Sequence, residues 1–288
     1  MKTVTWILVM AAVSLVTLTT ACHGRLAHQF DEKFTQVVEL PSDVRRVQIE
    51  VLEGAVSISA GEPGEVKLLA STRRASDTVE GLELLRGIDL RLQPDTSRPG
   101  VFALRGPTLP DSLERLSHRM ITKVVVTVPP ELEVAVVTGL GHVSAAGRRA
   151  QVWLETGHGD LRLEDCRADA SLRSGQGVVI VQGHRGGLDI ETGESQTMQV
   201  FIDELGAAGL RLVTRTGSIQ AHLPSGVGFE LEAETKWGLA ANGFGVPIEP
   251  IEGTGRGKVM RGEVAGGGPP VVLRAVEGGN LSLSERGR

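Results

Sequence analysis

The chain has 288 residues, a formal net charge of −5, 37 glycines, 3% aromatic residues and no tyrosine. That length suffices for one large or two small domains, and the mild acidity excludes the basic footprint of a nucleic-acid binder. So few aromatic side chains argue against the usual centre of a globular enzyme, whereas a narrow stack of aliphatic side chains does without them.

Residues 1–21 read as an export signal, with Lys2 at its start and an apolar run over 4–18 too short to span a bilayer. It ends in Leu18-Thr19-Thr20-Ala21-Cys22. This resembles the lipobox of bacterial lipoproteins, although Thr19 stands where an aliphatic residue is usual. The resemblance implies that Cys22 becomes the mature N-terminus and carries acyl chains, each buried CH₂ adding about 0.8 kcal/mol of membrane affinity. Cys166 then has no partner and reads as a small, semi-buried corner residue. Ordinary signal cleavage would instead leave Cys22 able to pair with it. Residues 22–43 read as a polar tether between lipid and domain, with the domain itself over 44–288.

Alternation over 47–51 predicts a half-buried strand, Glu53-Gly54 a turn, and 56–58 a return strand. A second turn over 61–64 precedes a strand at 66–70. Residues 76–85 predict a short helix capped by Ser76 or Asp77, with Leu82 and Leu85 facing the body. Residues 88–92 alternate again as a strand. The stretch 94–123 reads as an irregular, proline-rich insert in which 111–120 could form a second helix. Arg98, Arg105, Arg115, Arg119 and Lys123 make it locally basic, either as a solvated face or as a contact for anionic headgroups. Val124, Val126 and Val128 then alternate up to Pro129-Pro130.

A repeat follows. Thr138-Gly139-Leu140-Gly141, Thr156-Gly157-His158-Gly159, Ser174-Gly175-Gln176-Gly177 and Thr192-Gly193-Glu194-Ser195 recur in steps of 18. A fixed period of this size predicts a parallel β-solenoid with about 18 residues per coil. The inward columns are Val134/Val152/Ala170/Leu188 and Val136/Leu154/Leu172/Ile190, then Val143/Leu161/Val179 and Ala145/Leu163/Val181. Neighbouring strands lie about 4.8 Å apart, so each column is an aliphatic ladder. Gly139, Gly157, Gly175, Gly193 and Gly217 read as structural turns, with positive φ expected at Gly157 and Gly175. The adjoining Thr and Ser hydroxyls are expected to bond backbone amides at the bend and to stack as a polar rail. The fourth copy drifts, with Met198, Val200 and Ile202 inward. Residues 243–270 read as a Gly/Pro-rich loop, and Val271 to Leu283 as a last coil.

The strand and glycine turn at 47–58, the valine strand ending in Pro129, and the serial Thr/Ser-Gly turns together resemble the bacterial DUF4097 family of adhesin-like proteins. The run Thr216-Gly217-Ser218-Ile219 up to Leu223-Pro224 and the closing Gly279-Asn280-Leu281-Ser282-Leu283 match it closely, and the likeness covers 44–285. It implies a single-chain β-solenoid, exported or envelope-bound, and brings no catalytic residues with it.

Chemistry is sought on the outward positions. Glu155, Arg173 and Glu191 share a column; Arg173 between them would keep both carboxylates ionised, which is wrong for a general acid. His142, His158, His184 and His222 lie near turns and are expected in solvent; none is another's 18-step equivalent, so no metal ladder forms. Trp153, between inward Val152 and Leu154, should point outward, where either the 94–123 insert covers it or it stacks on a sugar or peptide; Trp237 sits in a turn and is open to the same two readings. The expectation is a non-enzymatic lipoprotein of the bacterial cell envelope, presenting its coils for adhesion or protein interaction. It would need no cofactor and no metal. Its partners would be the membrane, through Cys22, and an envelope protein or glycan. The competing readings are a polysaccharide-active β-helix enzyme and an envelope sensory partner protein.

Overall fold

The computed structural model describes residues 26–106, 117–253 and 256–286. Those residues are predominantly β-strand, in a mixed parallel and antiparallel arrangement with one α-helix among them. The chain divides into two compact units, one up to Leu140 and one from Gly141. A single body over 44–288 was expected; the division is silent in sequence because both sides use the same strand-and-glycine-turn grammar. The stretch read as an export signal, and Cys22 after it, lie outside the described residues.

The first unit contains β1 (His28–Glu39), β2 (Arg46–Ala60), β3 (Glu65–Ser76), α1 (Val79–Arg86), β4 (Gln93–Pro94), β5 (Val101–Leu104), β6 (His118–Val128) and β7 (Glu133–Leu140). β1 pairs antiparallel with β3, and β3 antiparallel with β6. The second half of β2 pairs parallel with β6, while its first half lies parallel to β5 and β7. β2 bends where expected, at Gly54, whose φ is +144 and whose missing Cβ would lie 1.7 Å from the Thr122 carbonyl oxygen.

Several expectations need correction here. Most of the supposed tether is β1. Its inward positions include Phe30, Phe34 and Val38 but also Glu32 and Gln36, and those two polar residues hide the period. Glu32 faces inward because it receives Arg74 Nη1 at 2.5 Å; Gln36 bonds both the N–H and the C=O of Leu92. Residues 88–92 form no strand. The helix begins at Val79 because Thr78, not Ser76 or Asp77, caps it: its hydroxyl accepts from the Gly81 amide at 3.0 Å. Leu85 of α1 packs with Leu90 and Met120. The 94–123 insert carries β4, β5 and the start of β6; residues 118–120 of the second predicted helix are strand, and most of the rest lies outside the described residues.

The second unit contains β8 (Val143–Ala146), β9 (Val152–His158), β10 (Leu161–Glu164), β11 (Ala170–Pro224), β12 (Phe229–Thr235), β13 (Ala240–Asn242), β14 (Ile248–Pro250), β15 (Lys258–Val264), β16 (Pro270–Gly278) and β17 (Leu281–Arg286). Its early pairings are parallel at an offset of 18: Val143 with Leu161, Leu161 with Val179, and Val152 with Ala170. Val143, Leu161, Val179, Leu163, Val181, Leu154 and Leu172 are all buried, as the ladders require. β11 runs continuously through several corners, and along it the offset widens, as the Gln199–Gln220 bond 21 residues apart shows.

The C-terminal order differs from the sequence order. β16 lies between β11 and β12, parallel to both, and β17 lies between β11 and β13. The stretch read as the last coil is therefore internal to the stack. The stretch read as a Gly/Pro loop supplies β14 and β15, and β15 pairs antiparallel with the free side of β12. It thereby covers an edge that would otherwise present unpaired backbone groups. Its alternation is weak in sequence because Gly262 stands where Val246 packs across, 3.3 Å from the position a Cβ would take.

Candidate functional site

The two glycines of each Thr/Ser-Gly-x-Gly phrase do different jobs. Positive φ falls on the second: Gly141, Gly159 and Gly177 have φ of +153, +150 and +140. Gly157 and Gly175, where it was expected, are not among the positive-φ residues. The second glycines stack directly. A Cβ on Gly159 would lie 2.0 Å from the Gly141 oxygen, and one on Gly177 would lie 2.1 Å from the Gly159 oxygen. The column continues through Ser195, Gly217, Gly279 and Gly238, each of these glycines against the carbonyl of the residue before it. The first glycines face outward. A Cβ on Gly175 would meet the Gly157 oxygen at 2.3 Å, and one on Gly193 the Gly175 oxygen at 2.7 Å.

The neighbouring hydroxyls are buried, so the polar rail runs inside the corner. Two of the four donate to carbonyls rather than accepting from amides, Thr156 Oγ1 to Gly141 O at 2.9 Å and Ser174 Oγ to Gln176 O at 3.2 Å, while Thr138 Oγ1 and Thr192 Oγ1 are buried with no partner among the described residues; Ser195, in the column of the second glycines, donates its Oγ to Gly177 O at 3.0 Å. At a parallel corner the amides are already engaged along the stack, as Gly141 N to His158 O and Gly159 N to Gln176 O show, each at 2.8 Å.

Because Gly157, Gly175 and Gly193 lack side chains, they form the floor of an open groove of about 670 Å³. One wall is Glu155, Arg173 and Glu191, and one end is Val213, Arg215, Val276 and Glu277. Beside the floor runs a hydrogen-bonded row that the sequence reading missed. His158 Nδ1 donates to Gln176 Oε1 at 3.0 Å, and Gln176 Nε2 donates to Glu194 Oε2 at 2.9 Å. Arg215 then bonds Glu194 at 2.5 Å and reaches Glu277 at 3.3 Å. The signal was available, since stepping 18 from His158 gives Gln176 and then Glu194.

Arg173 does not bridge Glu155 and Glu191 as expected. It binds Asp189 at 2.5 Å and stands 3.9 Å from Glu191, while Glu155 accepts the Trp153 indole N–H at 3.4 Å. Arg211 also binds Asp189, at 2.7 Å. Partial burial pushes the Asp189 carboxyl upward, but the bonds from Arg173 and Arg211 outweigh it and hold its pKa below the ordinary value. A carboxylate held ionised this way accepts hydrogen bonds and attracts cations; it does not supply a proton at neutral pH.

Trp153 points outward and is 42% exposed. Trp237 is 53% exposed, with the Arg256 guanidinium 5.9 Å from its ring centroid. The histidines part company. His142 and His158 are exposed and bonded to Asp160 and Gln176. His222 stacks on Phe201 with centroids 4.4 Å apart and bonds Ser284. His184 is fully buried, contrary to expectation: its Nε2 donates to Gly187 O, and its Nδ1 has no partner among the described residues. Burial, partly opposed by that bond and by Asp169, keeps it below the ordinary imidazole pKa. His184 shares its 18-step column with Cys166 and Arg148, all three buried. Burial pushes the Cys166 thiol up to about 11, so it is a free but unreactive thiol.

The basic insert is neutralised in part. Arg98 and Arg105 both bind Asp95, at 2.8 and 2.6 Å, and Arg119 binds Glu53 of β2, whereas Lys123 stays exposed and Arg115 lies outside the described residues. Hydrogen bonds from Ser97, then from the two arginines, hold the Asp95 carboxyl far below its ordinary range despite its burial. Among the described residues no cluster of three or more His, Cys, Asp or Glu side chains could hold a metal ion, and no helix is long and apolar enough to cross a membrane.

No protein-family model and no curated protein matches the chain. Among solved structures, it is similar to a proposed cell adhesion protein from Clostridium sporogenes at 12% identity, covering 89% of this chain and 100% of that one with a TM-score of 0.33. Proposed adhesins from Parabacteroides distasonis and Parabacteroides merdae match at 10% and 13% identity. They cover 87% and 88% of this chain and 96% of each of those, both with a TM-score of 0.21. At such TM-scores the likeness establishes neither a shared fold nor a shared function.

Proposed function

We propose that the protein is a non-enzymatic lipoprotein of the bacterial cell envelope, exported by residues 1–21 and anchored through acylated Cys22, and that it presents a β-solenoid surface for adhesion or protein interaction. The observation that carries this reading is the glycine-floored groove of the second unit. Its floor offers backbone and no side chains, and its borders repeat every coil, about 4.8 Å apart. Charges of both signs line it, Glu155, Arg173 and Glu191 along one side and Arg215 and Glu277 at one end, and Arg215 ties the groove to the His158–Gln176–Glu194 row next to it. An extended polar chain, such as a peptide strand or a glycan of an envelope partner, fits such a track, and Trp153 at its border adds a stacking face. The ion-paired state of Asp189 and Arg173 favours binding over acid–base catalysis.

Capture from envelope extracts tests the groove. A partner retained by the wild-type protein should be lost with Trp153→Ala or Glu191→Lys; equal recovery with both variants sinks the groove as the binding surface. Fractionation tests the anchor separately. Cys22→Ser should move the protein from the membrane to the soluble fraction, and an unchanged distribution refutes lipidation at Cys22.

A further inference from the structure

The first unit carries an outward sheet face that the groove does not use. On the outer side of β1, β3 and β6, register places Thr35 beside Leu69 and Leu69 beside Val125. One step along, Lys33 lies beside Ser71 and Ser71 beside Lys123; one step the other way, Val37 lies beside Lys67 and Lys67 beside Thr127. Val37, Leu69 and Val125 are 37%, 49% and 48% exposed, an aliphatic centre that no described residue covers. Three of the six lysines of the whole chain surround it. The carboxylates on this face are engaged: Asp31 by Arg73 at 2.9 Å and Glu65 by Lys67 at 2.6 Å, with Glu39 at the rim. Lys33 and Lys123, both exposed, are left to set its charge.

The chain's own connectivity says what this face meets. β1 begins at His28, so only five residues separate it from Cys22. Six extended Cα steps span about 20 Å at most. On the lipoprotein reading above, an acyl chain at Cys22 therefore holds the His28 end of this sheet within about 20 Å of the headgroups. We propose that the β1–β3–β6 face is a membrane-docking surface, with Val37, Leu69 and Val125 lying against the bilayer interface and Lys33 and Lys123 binding anionic lipid headgroups. The aliphatic residues alone would suit a protein partner equally well; the lysine ring and the short leash favour an anionic lipid surface.

The test uses exported Cys22→Ser protein, which carries no acyl chain, so it reports on the face independently of the anchor. Binding is measured by co-sedimentation with vesicles of phosphatidylglycerol mixed with phosphatidylcholine and with vesicles of phosphatidylcholine alone. Binding is expected only to the anionic vesicles, weakening with salt. Lys33→Gln with Lys123→Gln should weaken it at least about tenfold, and Leu69→Ser more modestly. Lys236→Gln with Lys258→Gln, on the second unit, should leave it unchanged. Equal binding to both vesicle types, no response to the Lys33/Lys123 pair, or an equal loss in the Lys236/Lys258 control overturns the proposal. Mass spectrometry of wild-type Cys22 decides the anchor on its own.

Discussion

The two units solve the same problem by different physics. In the second, coils stack in register, so backbones approach as closely as they can and the binding constraint is the absence of a side chain, as at Gly159 over Gly141. In the first, strands meet antiparallel or with a bent β2, and side chains supply what register does not: Arg74 on Glu32, Gln36 on Leu92, and Ser97, Arg98 and Arg105 on Asp95. Regular stacking is therefore intolerant of added atoms, while irregular packing is intolerant of lost polar partners.

The contrast breaks first at the glycines. Gly159→Ala forces a Cβ into a carbonyl at 2.0 Å with φ at +150 and should cost about 4 kcal/mol or more, or prevent folding. Gly64→Ala in the first unit has φ of +82 but open space, and should cost only about 1–2 kcal/mol in urea unfolding. Comparable losses would mean that stacking distance is not what selects glycine. Next in size, Leu163→Ala removes a fully buried ladder side chain and should cost about 2–5 kcal/mol by the same measurement. Glu32→Ala leaves the Arg74 guanidinium buried with one fewer partner; because Glu32 is itself 40% exposed, about 2 kcal/mol is expected.

Acid should separate the units further. His184 and His222 have pKa values lowered by burial, His222 also by Arg286, so on acidification the unfolded chain takes up those protons first. Their contribution is intact above about pH 6.5 and is lost as pH falls below it, by no more than about 1.4 kcal/mol per pH unit per group. Thermal unfolding of His184→Gln should show a flatter pH dependence between 7 and 5 than wild type; an identical slope would remove His184 as the cause. Smallest of all, Arg211→Ala should change stability by less than about 1 kcal/mol, since its pairs with Asp189 and Glu191 are largely in solvent.

What could be read beforehand follows the same divide. The 18-residue ladders were legible because identical constraints recur at identical spacing, and the outward Trp153 followed from them. β1 was illegible because Glu32 and Gln36 occupy inward positions for the sake of partners 42 and 56 residues away, which no local pattern reveals. The corner glycines were found but their roles exchanged, since sequence shows that two glycines are needed and not which one carries the unusual torsion. The groove was illegible for a related reason: it is made by the side chains that Gly157, Gly175 and Gly193 lack, and a charged column beside them has a pattern where an absence has none.

The position of β16 and β17 inside the stack bears on how the protein is made. A repeat that grows rung by rung can settle in the order in which its strands are synthesised. Here residues 229–242 have no parallel neighbour until residues 270–286 have followed them and slipped in beside β11. Contacts of such long sequence separation form late and slowly. The second half of the chain therefore settles as one event that awaits its final strands, and a chain cut short before them leaves the β11 edge open to pairing with another molecule.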